Sequence, residues 1–270
     1  MAIKIGLDPG HGGTSTGTYS YNTKNDKKYE KHHCLELCQM IKTRLEKNGF
    51  EVYMTRTTDI NPGTVSERAQ MCMKAGCKYA VSIHFNGFDN QSANGCEVFV
   101  PYGETAAGIE AGYYNYLGEF FKRRAPFARS NNYSNRNETF DKKLNVSTRK
   151  FGAVSSNKDY FGFIRTAWAK GYSYDLLEVC FLTNKTDYNT YMENKAAIAD
   201  AIAKSIVEGY KKTYRGGSTA GVKVPTETAK PATGAKYRVI AGSFSTKANA
   251  EAHVKALSQK GFAAYVQEVK

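Results

Sequence analysis

Short apolar runs alternate with amphipathic stretches along the first 212 or so residues. Ile3 to Leu7 reads as a buried strand. Cys34, Leu37, Cys38, Ile41 and Leu45 recur at spacings of three and four, which is a helical stripe, and Gly49 ends that helix. Phe50 to Thr55 predicts a second strand. Val65, Ala69, Cys72 and Met73 mark a short helix, Tyr79 to Ile83 a third strand and Cys96 to Val100 a fourth. A longer helix is predicted over Ala106 to Lys122, a buried strand over Asp175 to Leu182, and a last helix over 189–212, where Ile198, Ile202 and Ile206 share one face. Strands alternating with helices define an α/β fold, with a mostly parallel sheet flanked by helices on both faces.

Two stretches break this rhythm. Residues 125–160 hold Asn131, Asn132, Asn135, Asn137 and Asn145 among scattered Lys and Arg, and read as a long loop or a small inserted subdomain. Residues 214–235 are dominated by Gly, Ser, Thr, Pro and Ala, the composition of a flexible linker. The remainder, 236–270, predicts strand (Tyr237, Val239, Ala241), helix (Ala250, Val254, Leu257) and strand (Ala264 to Val269), a βαβ unit small for an independent fold. The expected division is a large domain over 1–213, a linker over 214–235 and a small module over 236–270.

Hydrophobic residues make up 41% of the chain and charged residues 23%, an ordinary globular balance. No apolar run approaches the roughly 18 residues of a membrane span, so no membrane anchor is expected. Met1 to Leu7 runs directly into a motif without a basic leader and cleavage site, so the expectation is synthesis in a bacterial or host cytoplasm outside the general secretory route, with release by some other means if the chain works outside the cell. The net charge of +13, from 38 Lys and Arg against 25 Asp and Glu, favours anionic partners. Nucleic acid, an acidic membrane face and the phosphate-rich polymers of a bacterial wall all fit that charge; the basic residues are spread along the chain and no nucleic-acid-binding motif accompanies them, so nucleic acid is not expected. Cys34, Cys38, Cys72, Cys77, Cys96 and Cys180 form no CxxC pair. Most fit as buried reduced thiols, although Cys34 and Cys38, four apart on a helix, leave a shared metal open.

The chemistry concentrates at strand tips. Asp8-Pro9-Gly10-His11-Gly12-Gly13 follows the first strand, and its glycines let the chain turn so that His11 sits at the tip. Ser82-Ile83-His84-Phe85-Asn86 ends the third strand in the same way, with His84 and Asn86 on one face by alternation. That edge of an open α/β sheet is where ligands bind. Two histidines there can share one ion, and a carboxylate is the natural third ligand. Glu30 opens the first long helix, where it serves either as that ligand or as a partner of the helix dipole. Glu178 lies inside the apolar run Leu176 to Leu182, where a charge is costly unless it is paired or works chemically.

In this order, LDPGHGG at 7–13, Glu30-Lys31, TR at 55–56, VSERA at 65–69, SIHFNG at 82–87 and LLEVCFLTN at 176–184 resemble the zinc-dependent N-acetylmuramoyl-L-alanine amidases of phage endolysins and bacterial autolysins. The resemblance covers residues 3–212. It implies a zinc ion (Zn2+) on His11, Glu30 and His84, with Glu178 as catalytic acid and base in metal-assisted hydrolysis of the muramic acid–L-alanine amide of peptidoglycan. Asn86 is read either as orienting substrate or as making a structural hydrogen bond. Phe85-Asn86-Gly87 stands where the family often has Ala-Asn-Ala, and the 125–160 stretch matches no family motif. Residues 236–270 resemble half of a sporulation-related peptidoglycan-binding repeat, which either pairs with a second copy as a homodimer or is a remnant. Another amide substrate, and a sporulation rather than phage origin, are the alternatives to cell-wall lysis by a phage enzyme.

Overall fold

In the computed structural model, the described residues are 2–22, 28–101, 108–123 and 161–216, the backbone of 137–141 and 146–150, and Lys247, Ala250, Glu251 and Val254. The chain divides into two units, Met1–Gly221 and Val222–Lys270. In chain order the first unit runs β1 (Lys4–Pro9), α1 (Glu30–Lys47), β2 (Glu51–Met54), α2 (Val65–Lys74), β3 (Tyr79–Asn86), β4 (Glu97–Phe99) and α3 (Ile109–Leu117). It continues through β5 (Asn137–Asp141), β6 (Val146–Lys150), α4 (Gly162–Trp168), β7 (Tyr174–Phe181) and α5 (Lys185–Gly209).

Five strands form one sheet in the order β2-β1-β3-β7-β4. The pairings β1–β2, β1–β3 and β3–β7 are parallel, and β4 runs antiparallel to β7 at the edge. Alternation along the central strands sends Ile5, Leu7, Val81 and Ile83 into the larger core, with Leu37, Ile41 and Leu45 of α1 and Ile198, Ile202 and Ile206 of α5. Ala80 and Tyr174 face a smaller cluster with Ala69 and Cys72 of α2 and Phe163 and Ala167 of α4. Helices thus cover both faces, and the sheet is mostly parallel as the alternating pattern predicts. No helix among the described residues is long and apolar enough to cross a membrane.

Two helices differ from their expected spans. The helix expected over 106–122 is described over Ile109–Leu117 and ends early, because the chain turns at Gly118 and brings residues 122–123 beside the sheet edge, where Cys96 N donates to Lys122 O at 3.0 Å. The last helix begins earlier than 189, at Lys185, because the Asn184 side chain accepts from Asp187 N and caps it. Within 125–160, β5 and β6 pair as an antiparallel hairpin, and the rest of that stretch lies outside the described residues. All six cysteines are free and buried. Burial pushes the Cys34 and Cys38 thiols up, which disfavours the thiolates a metal would need.

In the second unit Lys247, Ala250, Glu251 and Val254 are helical, with Ala250 and Val254 half-buried. These positions fall on the helix expected between the two strands of 236–270. The expected strands, the linker beyond residue 216 and the dimerising role of the module lie outside the described residues.

Candidate metal centre

The C-terminal edge of the sheet gathers the titratable groups. His11 follows β1, His84 sits near the end of β3, and Glu30 is the first residue of α1. Glu30 Oε1 lies 3.1 Å from His11 Nε2 and 2.9 Å from His84 Nδ1. One donor atom from each residue falls within 4.8 Å of the others, and this is the one such cluster of three or more potential ligands among the described residues. Glu30 is 4% exposed. Burial alone would raise its pKa, but the two histidines hydrogen-bonded to it hold the carboxyl well below the usual range. Phe85 N donates to Oε1 at 3.0 Å and Thr18 N to Oε2 at 2.9 Å, so the carboxylate is fixed from four sides.

A plain capping role for Glu30 is filled by other groups. The N–H groups of Glu30 and Lys31 donate to Thr18 O and Thr16 O, and His32 Nδ1 accepts from Tyr29 N. The Glu30 side chain is therefore turned away from its own helix end and toward the histidines.

Two arginines within the recognised motifs hold the loop that carries His11. Arg56 donates to Pro9 O, Gly10 O and Lys31 O at 3.0, 2.7 and 2.7 Å. Arg68 pairs with Asp8 at 2.9 Å and donates to Pro9 O and to His11 O. Asp8 itself accepts from Thr55 Oγ1 and Ser82 Oγ, and all these groups are buried. His11 has φ 60°, a left-handed conformation that costs a non-glycine residue about 1 kcal/mol. The Arg68 contact to its carbonyl and the 3.0 Å approach of Ser15 Oγ to its Nδ1 keep it there. The sequence reading singled out TR and VSERA only as family pieces; their task depends on contacts between β1, β2 and α2 that no local pattern shows.

Glycine is required where backbones close in on the site. A Cβ on Gly10 would lie 2.5 Å from the His84 ring. At Gly87, where the family often carries Ala, a Cβ would lie 2.0 Å from Thr18 Oγ1. Thr18 N is one of the two backbone donors on Glu30, so Gly87→Ala is expected to displace it and weaken metal affinity about 10- to 100-fold, the usual cost of losing an outer partner. Competition with a chromophoric chelator measures this, and unchanged affinity would show that the Gly87–Thr18 contact does not support the site.

Glu178 lies on β7 directly opposite His84 of β3, and on its other side opposite Glu97 of β4. Cross-strand partners share a face, so all three project from the same side of the sheet. Asn86 donates through Nδ2 to Glu97 Oε2 at 2.7 Å. Glu97, 2% exposed, was not singled out from the sequence, because a charged residue in a three-residue edge strand carries no periodic signal.

An α/β sheet whose C-terminal edge carries a His-Glu-His cluster beside a carboxylate is the framework of a metallohydrolase. The N-acetylmuramoyl-L-alanine amidase family matches residues 5–208, and the chain belongs to it. A SPOR domain matches residues 219–270, beginning inside the stretch read as linker. Relatives include the N-acetylmuramoyl-L-alanine amidase AmiA of Salmonella typhimurium, 34% identical over 107 residues, 40% of this chain and 35% of that protein. The probable cell wall amidase LytH of Staphylococcus aureus is 38% identical over 95 residues, 35% of this chain and 30% of that protein. The match thus spans about a third of these curated relatives (35% and 30%). Among solved structures, the catalytic domain of CwlV from Bacillus (Paenibacillus) polymyxa superposes with TM-score 0.56 at 19% identity, covering 78% of this chain and 99% of that one. An N-acetylmuramoyl-L-alanine amidase from Clostridium difficile 630 gives TM-score 0.59 at 20% identity, covering 78% and 97%. These structures share the fold.

Proposed function

We propose that this chain is a zinc-dependent N-acetylmuramoyl-L-alanine amidase that hydrolyses the amide between muramic acid and the stem peptide of bacterial peptidoglycan. The observation that carries the proposal is the convergence of His11 Nε2 and His84 Nδ1, both partly exposed, on the buried Glu30 Oε1, with Glu178 in register beside His84. Two imidazoles and a carboxylate are the donor set of catalytic zinc sites, so the residues fit the ion. Bound there, zinc supplies Lewis acidity toward a carbonyl oxygen and an attacking water.

The protein's own groups do the rest. Glu30 neutralises part of the ion's charge from a position fixed by Thr18 and Phe85. Arg56 and Arg68 keep His11 aimed by holding its backbone. Glu178 takes a proton from the attacking water and delivers it to the amide nitrogen of the leaving peptide, the work of a general base and then a general acid. Asn86 contacts the substrate peptide, and residues 219–270 hold the enzyme on the wall.

Digestion of purified peptidoglycan by the zinc-loaded chain tests this. Expected is the release of free N-terminal alanine without new reducing sugar ends. New reducing ends without free alanine would mean glycosidic cleavage, and free amino termini on other residues would mean a peptidase; either result replaces the proposal.

A further inference from the structure

The contact between Asn86 and Glu97 spans a whole strand. Asn86 belongs to β3 and Glu97 to β4, and β7 lies between them. Neighbouring strands are about 4.8 Å apart, so the two backbones stand roughly 10 Å from each other and only the side chains close the gap. They meet over β7 at 2.7 Å, next to Glu178, which is the cross-strand partner of Glu97. The register supports this crossing. From His84 to Asn86 the chain advances two residues on β3, while their partners Glu178 and Phe181 are three apart on β7. The extra residue is a bulge, a device that re-aims side chains near active sites.

An Asn side chain has two faces of opposite character. Its NH2 donates and its oxygen accepts, whereas a carboxylate only accepts. The Glu97 carboxylate therefore fixes which way the Asn86 amide is turned. The nitrogen faces Glu97, and Oδ1, which bonds no described residue, is left as an acceptor. Glu97 is buried and Asn86 only partly so, which makes Asn86 the accessible member of the pair.

We infer that Glu97 is a positioning residue: by bridging β7 it locks the amide of Asn86 so that Oδ1 receives a peptide N–H of the substrate beside Glu178. The inference rests on the amidase reading above and adds to it the residue that sets substrate alignment. The peptide half of the substrate is the part recognised, because a stem peptide offers N–H donors along its backbone and an acceptor is what Asn86 presents.

The test is steady-state hydrolysis of a soluble muramoyl-peptide by the full, zinc-loaded chain and its variants. Each variant is checked for zinc content and melting temperature. Glu97→Met keeps length and packing but removes the acceptor; KM is expected to rise about tenfold, the worth of one lost hydrogen bond, with kcat changed less than threefold. Glu97→Gln retains an acceptor oxygen and is expected to stay within about threefold of wild-type KM. Adding Glu97→Met to Asn86→Ala is expected to raise KM no further, because both remove one contact. Wild-type KM in Glu97→Met, or an effect that adds in full to that of Asn86→Ala, overturns the inference while the amidase reading stands. A kcat loss with unchanged KM, or lost zinc in Glu97→Met but not in Glu97→Gln, assigns Glu97 to the metal centre and overturns it too. If the wild-type chain releases no alanine ends, both readings fall together.

Discussion

Glu178→Gln is expected to lower amide hydrolysis about 10³-fold while leaving zinc bound at wild-type stoichiometry. The substitution preserves shape and hydrogen-bonding reach, so the strand should not rearrange. Only the capacity to accept and return a proton is lost. Glu178 lies one strand from His84, close enough to serve water held at the centre, yet it is outside the cluster formed by His11, Glu30 and His84. That separation is why metal content and activity should part company in this variant. Rates on purified walls, with zinc measured by atomic emission on the same sample, give the answer. Undiminished lysis would remove Glu178 from the mechanism.

His84→Ala should have the opposite signature, losing metal and activity together. The imidazole supplies one of three donors and also packs against Gly10, where the backbone comes so close that no Cβ fits. Its removal takes a ligand rather than an outer partner, so zinc affinity should fall by more than the roughly 100-fold typical of outer-partner loss. A ligand that binds only the native state stabilises it in proportion to the logarithm of its concentration over Kd. Added zinc is therefore expected to raise the melting temperature of the metal-depleted wild-type chain and to leave that of His84→Ala nearly unchanged. Stoichiometric zinc in the variant after dialysis would contradict the ligand assignment.

Much of this was legible in one sequence because polar groups placed at strand tips leave a local signature. An apolar run ending in glycines and His11, and another ending in His84 and Asn86, mark both the strands and their functional edge. Glu178 stood out because it interrupts an apolar strand. Glu30 was different: at a helix start its charge has an ordinary explanation, and only the neighbouring carbonyls of Thr16 and Thr18 show that the helix end is satisfied without it. The arginines of TR and VSERA could be recognised but not interpreted, since the Pro9–Gly10 backbone that they clamp is 46 or more residues away. Glu97 was missed for a related reason. A three-residue antiparallel edge strand has too little pattern to reveal its register, and the importance of that residue comes entirely from the strands it spans. The end of α3 was overextended because apolar residues continue past Gly118; Phe121 reaches the core from the turn rather than from the helix.

Zinc K-edge absorption on the metal-loaded wild-type chain tests the central claim most directly, because it reads the ligands themselves. Two imidazole nitrogens with one or two oxygens, all at about 2.0–2.1 Å, are expected for a centre formed by His11, Glu30 and His84. Sulfur scatterers at about 2.3 Å would place the ion on the cysteines instead, and would contradict the assignment of this site.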